Sequence, residues 1–162
     1  MLKRENTQRT TFEKIIAKDD YSKTNIDNYF KIYKKILKDK YNISYNIPKY
    51  ENDSLHLVIK NNGNLVAFCS ISKNVKETKL QKNFNIKYES HIKNLSNYIE
   101  IRNFLILQPE YFKIMYDFII ENFPNKNLIS ICDKKRARLY KIKSCFKNTH
   151  VKDDIYIIYK NA

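Results

Sequence analysis

The chain has 162 residues, a formal charge of +14 from 31 Lys and Arg against 17 Asp and Glu, and 43% hydrophobic residues. That length and apolar content suit one domain over residues 1–162, with 1–22 as a peripheral N-terminal segment, and exclude wholesale disorder. No apolar run approaches the roughly 18–20 residues that cross a bilayer, and the opening stretch Met1–Lys14 lacks the apolar centre of a secretory signal. Cys69, Cys132 and Cys145 are odd in number and far apart, which argues against a disulfide framework or a paired-cysteine metal site. A reduced, cytoplasmic protein without a metal is the simplest expectation.

In chain order, Thr24 followed by Ile26, Tyr29, Phe30, Tyr33, Ile36 and Leu37 has the spacing of an amphipathic helix with Thr24 as its N-cap. Pro48 ends any helix before an extended stretch. Ser54 to Lys60 and Leu65 to Ser72 read as strands joined by Asn61-Asn62-Gly63-Asn64, a hairpin signal because Asn and Gly tolerate positive φ. Residues 73 to 95 are polar and Lys-rich, and read as partly helical. Tyr98 to Leu107 reads as a buried strand, with Pro109 as a first helical residue. Phe112, Met115, Phe118 and Ile119 mark a helix ending near Phe123-Pro124. Leu128 to Cys132 is a short strand closed by Asp133, and residues 134 to 146 fit a basic helix or a strand. Ile155 to Tyr159 is a last strand. This mixture implies an α/β or α+β sheet covered by helices.

Gly63 is the single glycine. Phosphate cradles of the G-x-G-x-x-G and G-x-x-x-x-G-K-[ST] kinds need several residues without a Cβ, so those readings fail, as does a Gly-rich coenzyme A loop. The net charge allows three acidic partners: an acidic protein, an anionic membrane or nucleic acid. The lysines are spread evenly and five of the 31 cations are arginine, so solubility with weak steering is the plainest reading. An acidic protein partner comes next, and nucleic acid third.

Glu100 is the main candidate for chemistry. Flanked by Ile99 and Ile101, it shares a strand face with Tyr98 and Arg102. A carboxylate on a half-buried strand either needs a partner or resists ionisation, and the second case suits a general base. The competing reading is a Glu100–Arg102 pair on a solvated sheet face. His91 precedes this strand and could fold back toward Glu100, while Ser70 faces away from Cys69 and could offer a hydroxyl to a cleft. His56, His91 and His150 show no metal-ligand spacing, and each also fits a structural or surface role. Cys69 fits packing better than nucleophilic catalysis. Asp133, ending a strand, fits a site or an Asx turn.

The strings V-I-K-N-N-G-N-L-V-A-F-C-S (Val58 to Ser70), Tyr98-Ile99-Glu100 before a helix, Asn122-Phe123-Pro124-Asn125 and a strand ending in Asp133 resemble the toxin-activating lysine acyltransferases. The agreement in block order runs from about Pro48 to Asp133. The resemblance implies a single GNAT-like α/β (α+β) domain, a mostly antiparallel mixed central sheet flanked by helices. It also implies transfer of a fatty acyl group from an acidic acyl-carrier protein to a toxin lysine, with no bound cofactor, and it makes the glycine shortage expected. Glu100 and His91 are then the catalytic candidates, and Ser70, Arg102 and Tyr98 the substrate-binding ones. The family pattern has a histidine upstream of Pro48 and an aspartate in the strand matching Tyr98 to Arg102. Here the carboxylate is Glu100 and no histidine precedes His56.

That departure resembles a side branch that works with a second maturation subunit to link a glycosylated siderophore to the C-terminal serine of a microcin. The donor is then a siderophore conjugate rather than an acyl-carrier protein. A homo- or hetero-oligomer is expected. Two further readings stand beside these: a catalytically inactive scaffold subunit, and a basic nucleic-acid-binding domain.

Overall fold

The computed structural model describes residues 12–18, 31–32, 34–39, 42 and 54–162. The expected hairpin is β2 (Ser54–Asn61) and β3 (Asn64–Ser72), closed by a two-residue turn. Asn62 and Gly63 both hold positive φ, 51° and 81°, the pair of left-handed conformations that matches the twist of an antiparallel ribbon. Upstream lie β1 (Phe12–Lys18) and the helical residues 31–32 and 34–39, here α1. Thr24 and Pro48 lie outside the described residues.

Downstream come α2 (Lys79–Phe84), β4 (Tyr98–Ile106), α3 (Tyr111–Asn122), β5 (Asn127–Asp133), α4 (Lys134–Ser144), β6 (Lys147–Lys152) and β7 (Ile155–Lys160). The strands form one seven-stranded sheet in the order β1-β2-β3-β4-β5-β7-β6. Every pairing is antiparallel except β4 with β5. None of the described helices is long and apolar enough to cross a membrane.

Alternation divides the side chains between two faces. On one face Leu57, Cys69, Ile71, Ile99, Ile101 and Leu128 pack under α3 and α4, against the buried Met115, Phe118, Ile119 and Ala137. On the other, Leu37 of α1 covers Val58, Phe68 and Leu105, and the segment around α2 covers Tyr98, Ile129, Ile131 and Ile157 with Val75, Ile86 and Tyr88.

The structure adds two strands to the sequence reading. β1 and β6 are the two edges of the sheet, and an edge strand needs less apolar patterning than a central one. Residue 147 to 152 reads K-N-T-H-V-K and stays mostly exposed, with lysines that suit an unpaired edge. β1 comes from the segment assigned to the periphery; its Phe12 meets Tyr111 edge-on at 5.9 Å and Lys14 lies 5.6 Å over the Phe118 ring. Helix α3 begins two residues after Pro109, which instead makes the preceding turn: the Phe112 N–H donates to the Pro109 carbonyl. The undecided stretch after Asp133 is helix, because the Asp133 carboxylate caps it by accepting from the Arg136 N–H at 2.8 Å.

Nothing lies within 4 Å of a Cβ added at Gly63, so only its backbone conformation resists substitution. Gly63→Ala is expected to cost about 1 kcal/mol, read as a lower urea midpoint with an unchanged slope.

Candidate functional site

β4 and β5 pair in parallel only from Tyr98–Asn127 to Glu100–Ile129. Beyond that point they part. The Ser130 hydroxyl donates to the Ile101 carbonyl at the fork, where the ladder has no further backbone donor to offer. Just past the fork β4 carries one extra residue: pairing with β3 slips between Phe68–Leu105 and Ser70–Arg102, and Asn103 takes φ 53°. Such a bulge bends its strand and resets its alternation. Phe104 therefore joins the α3 and α4 face, and Leu105 the opposite one.

The parting opens a cavity of about 450 Å³. It reaches from Leu80, Asn83 and Phe84 of α2 on one face to Arg136 and Tyr140 of α4 on the other. Arg102, Asn103 and Phe104 of β4 and Ser130 to Asp133 of β5 form its sides. The lining is apolar with a few convergent polar groups, the usual makeup of a small-molecule site. Two of its lining rings, Phe104 and Tyr140, pack edge to face at 5.7 Å, and Phe112 behind them lies 5.8 Å from Phe104.

The start of α3, just beyond β4, does not form an anion cradle. Pro109 lacks an N–H, the Tyr111 and Phe112 amides donate to Gln108 and Pro109 carbonyls at 3.1 and 3.2 Å, and the N-cap is the acidic Glu110. A phosphate there would meet a carboxylate and spent donors rather than the open amides that normally hold it.

Glu100 is fully buried. Its Oε2 accepts from the hydroxyls of Thr78 and Tyr88, each at 2.6 Å. Thr78 is also the N-cap of α2, accepting from the Gln81 N–H at 3.3 Å, and Gln81 reaches back through its carbonyl to the Tyr88 N–H at 2.8 Å. The carboxylate thus fastens the segment from Thr78 to Tyr88 onto the sheet, and that segment supplies one wall of the cavity. Glu100 itself is not in the wall; its neighbours Ile101 and Arg102 are.

Arg102, 2% exposed, sends Nη2 to the Ser54 hydroxyl at 2.9 Å and Nε to that of Ser72 at 3.4 Å. The sheet face bearing Glu100 and Arg102 is therefore not solvated, contrary to the competing sequence reading. Ser70, also fully buried, lies 2.8 Å from His56 Nδ1 and accepts from the Asn103 amide at 3.1 Å. His56 stacks on Phe68 at 5.8 Å. Through Asn103, this Ser70–His56 pair abuts the cavity.

The remaining candidates lie apart. The His91 side chain is exposed, in a turn three residues beyond Tyr88. The Tyr98 hydroxyl donates to Asn161 at 3.2 Å, at the end of β4 away from the fork, about 13 Å along the strand from Arg102. Burial and the neighbouring Tyr159 push its ionisation above the usual tyrosine value. No group of three or more metal-ligating side chains occurs among the described residues. Tyr140, Arg136 and Thr78 were not singled out in the sequence. Thr78 three residues before Gln81 is a capping signal that could have been read, whereas nothing local marks the other two.

No protein-family model matches the chain, and no curated protein matches it significantly. Solved structures do. ElaA of Escherichia coli is similar at a TM-score of 0.59 and 12% identity, over 92% of this chain and 98% of that one. An acyl-CoA N-acyltransferase from Pseudomonas aeruginosa is similar at 0.60 and 8% identity, over 93% and 99%. FeeM, an N-acyl amino acid synthase from uncultured soil microbes, is similar at 0.60 and 13% identity, over 93% and 92%. At these identities the likeness establishes the fold, the single GNAT-like α/β domain with a mixed sheet expected from the resemblance.

The three thiols differ. Burial pushes Cys69 far above the usual thiol value despite the opposing Arg102 charge. Burial, then Asp133, pushes Cys132 from 9.0 up to about 12; Cys145 is exposed. A thiol reagent should titrate one cysteine in the native protein and all three in denaturant. The unfolded chain releases the Cys132 proton near 9.0 and the folded chain holds it to about 12. Its stabilisation is therefore complete below pH 9 and lost as pH rises through 12. Cys132→Ala should flatten that decline in denaturant titrations.

Proposed function

We propose that the chain is an acyltransferase that takes its acyl group from a carrier-protein thioester and delivers it to an amine of a peptide or protein toxin. The observation that carries the reading is the parted parallel pair β4 and β5, beside which lies a largely apolar cavity lined from both faces of the sheet, in a fold shared with acyltransferases. An acyl thioester laid between the strands would meet main-chain groups freed from the ladder, and positioning alone supplies much of the rate in such a transfer. The amine attacks the thioester carbonyl carbon, the C–S bond breaks, and the proton lost by the amine ends on the departing thiol. The toxin as acceptor comes from the sequence resemblance.

A carrier protein is favoured over free coenzyme A by the start of α3, where the acidic Glu110 and the internally bonded amides leave no seat for a pyrophosphate. The +14 charge favours an acidic donor in the same way. With a partner subunit, the same cleft would serve linkage of a siderophore conjugate to a microcin serine. Intact-mass analysis of a co-expressed toxin peptide is expected to show an acyl-sized increment. A siderophore-sized one would select the second donor, and none, with the partner gene present, would leave the scaffold reading. Transfer from an acyl-carrier protein should exceed transfer from the same acyl-CoA at least tenfold in kcat/KM.

Glu100 is assigned the task of holding the α2 wall in place, because its hydrogen bonds run to Thr78 and Tyr88. Glu100→Gln keeps an acceptor for both hydroxyls and should retain transfer within severalfold. Glu100→Ala strands two buried hydroxyls, costs about 1–3 kcal/mol for each, and raises KM. A loss on the order of 10²-fold or more in kcat for Glu100→Gln would instead make Glu100 the general base, with His91 as the next residue to replace.

A further inference from the structure

Helix α4 carries six Lys or Arg among its eleven residues and no acidic residue. Ala137 and Ser144 turn inward, which fixes the direction of the rest. Lys135, Arg138, Leu139 and Ile142 follow the i, i+3, i+4, i+7 pattern and share the outward face. Leu139 is 46% exposed and Ile142 75%, the most exposed large apolar side chain among the described residues. Lys134 and Lys141 border this stripe on one side, and Arg136 and Lys143 on the other. Two branched aliphatic residues inside a ring of cations is a costly surface to leave in water, and the arrangement resembles the centre and rim of a protein interface.

We infer that the outward face of α4 docks the acidic carrier protein that brings the acyl group, an inference that rests on the acyl-transfer reading above. Charge complementarity selects the partner: a helical protein rich in Asp and Glu would meet cations on every side of the stripe and lay its own apolar residues on Leu139 and Ile142. Position supports it, since the same helix supplies Arg136 and Tyr140 to the cavity. A carrier seated on α4 therefore stands beside the opening through which its flexible thioester arm must pass. A membrane fits less well. The helix is packed on β5, β6 and β7 and cannot roll its face into a bilayer, and two aliphatic residues give little area to bury.

The test uses octanoyl-acyl-carrier protein and the full chain. Lys135→Glu with Arg138→Glu, and separately Ile142→Ser, change only solvent-facing groups, and thermal melts check that the fold is kept. Calorimetry at low salt is expected to show carrier binding that weakens steeply with added salt and at least tenfold with the charge reversal. The ratio of kcat/KM for the octanoyl carrier to that for octanoyl-pantetheine should fall by a similar factor. Binding without transfer to any amine would support the docking face while removing the acyl-transfer reading. Transfer that proceeds from the carrier with this ratio unchanged in both variants would overturn the docking face and leave that reading standing. Absence of carrier binding overturns it, as does a charge reversal that weakens binding to phosphatidylglycerol vesicles or duplex DNA but not to the carrier.

Discussion

The one parallel pairing in an otherwise antiparallel sheet governs the rest of this structure. Antiparallel neighbours can zip along their whole length, but β4 and β5 share three pairs and then diverge. Each backbone group past the fork needs another partner or an occupied cavity. Ser130 meets that need for Ile101, and the bulge at Asn103 turns β4 away. The cavity that results is lined from both faces, so α2 and α4 become its walls although they lie on opposite sides of the sheet.

The two faces are stabilised by different physics. Under α3 and α4 the packing is aliphatic and aromatic, with Met115 and Ile119 wholly enclosed. The opposite face buries, alongside its own apolar clusters, polar groups that are held one by one: Glu100 Oε2 by two hydroxyls, Arg102 Nε and Nη2 by two serines, Ser70 by an imidazole and an amide. A buried network of that kind is sensitive to the loss of any member, because the group left behind bears the full desolvation cost. It fixes the register of β2, β3 and β4 more sharply than aliphatic contacts would. The cavity wall formed by α2 inherits that rigidity through Thr78 and Tyr88.

Much of the frame was legible in local chemistry. The Asn-Gly turn placed β2 and β3, the apolar run from Tyr98 placed β4, and the 3.6-residue repeat through Met115 placed α3. The two edge strands escaped notice because an edge buries one side at most and carries lysines where a central strand carries isoleucine. Helix α4 was undecided for a related reason: with a single small Ala137 and the half-buried Tyr140 turned inward, its apolar period is faint, and its N-cap bond from Arg136 to Asp133 is what reveals it.

The sequence by itself determined the class of fold, the hairpin, the absence of a glycine-built phosphate loop and the alternation that sets Glu100 and Arg102 on one face. These follow from backbone freedom and side-chain period, which are properties of neighbours along the chain. Only the tertiary structure decided that β4 and β5 run parallel and part, that Glu100 is held by Thr78 and Tyr88, and that Arg136 and Tyr140 face Arg102 across a cavity. Those relations join residues 12 or more positions apart, and they depend on which strands pair and where pairing stops, quantities that no local pattern encodes.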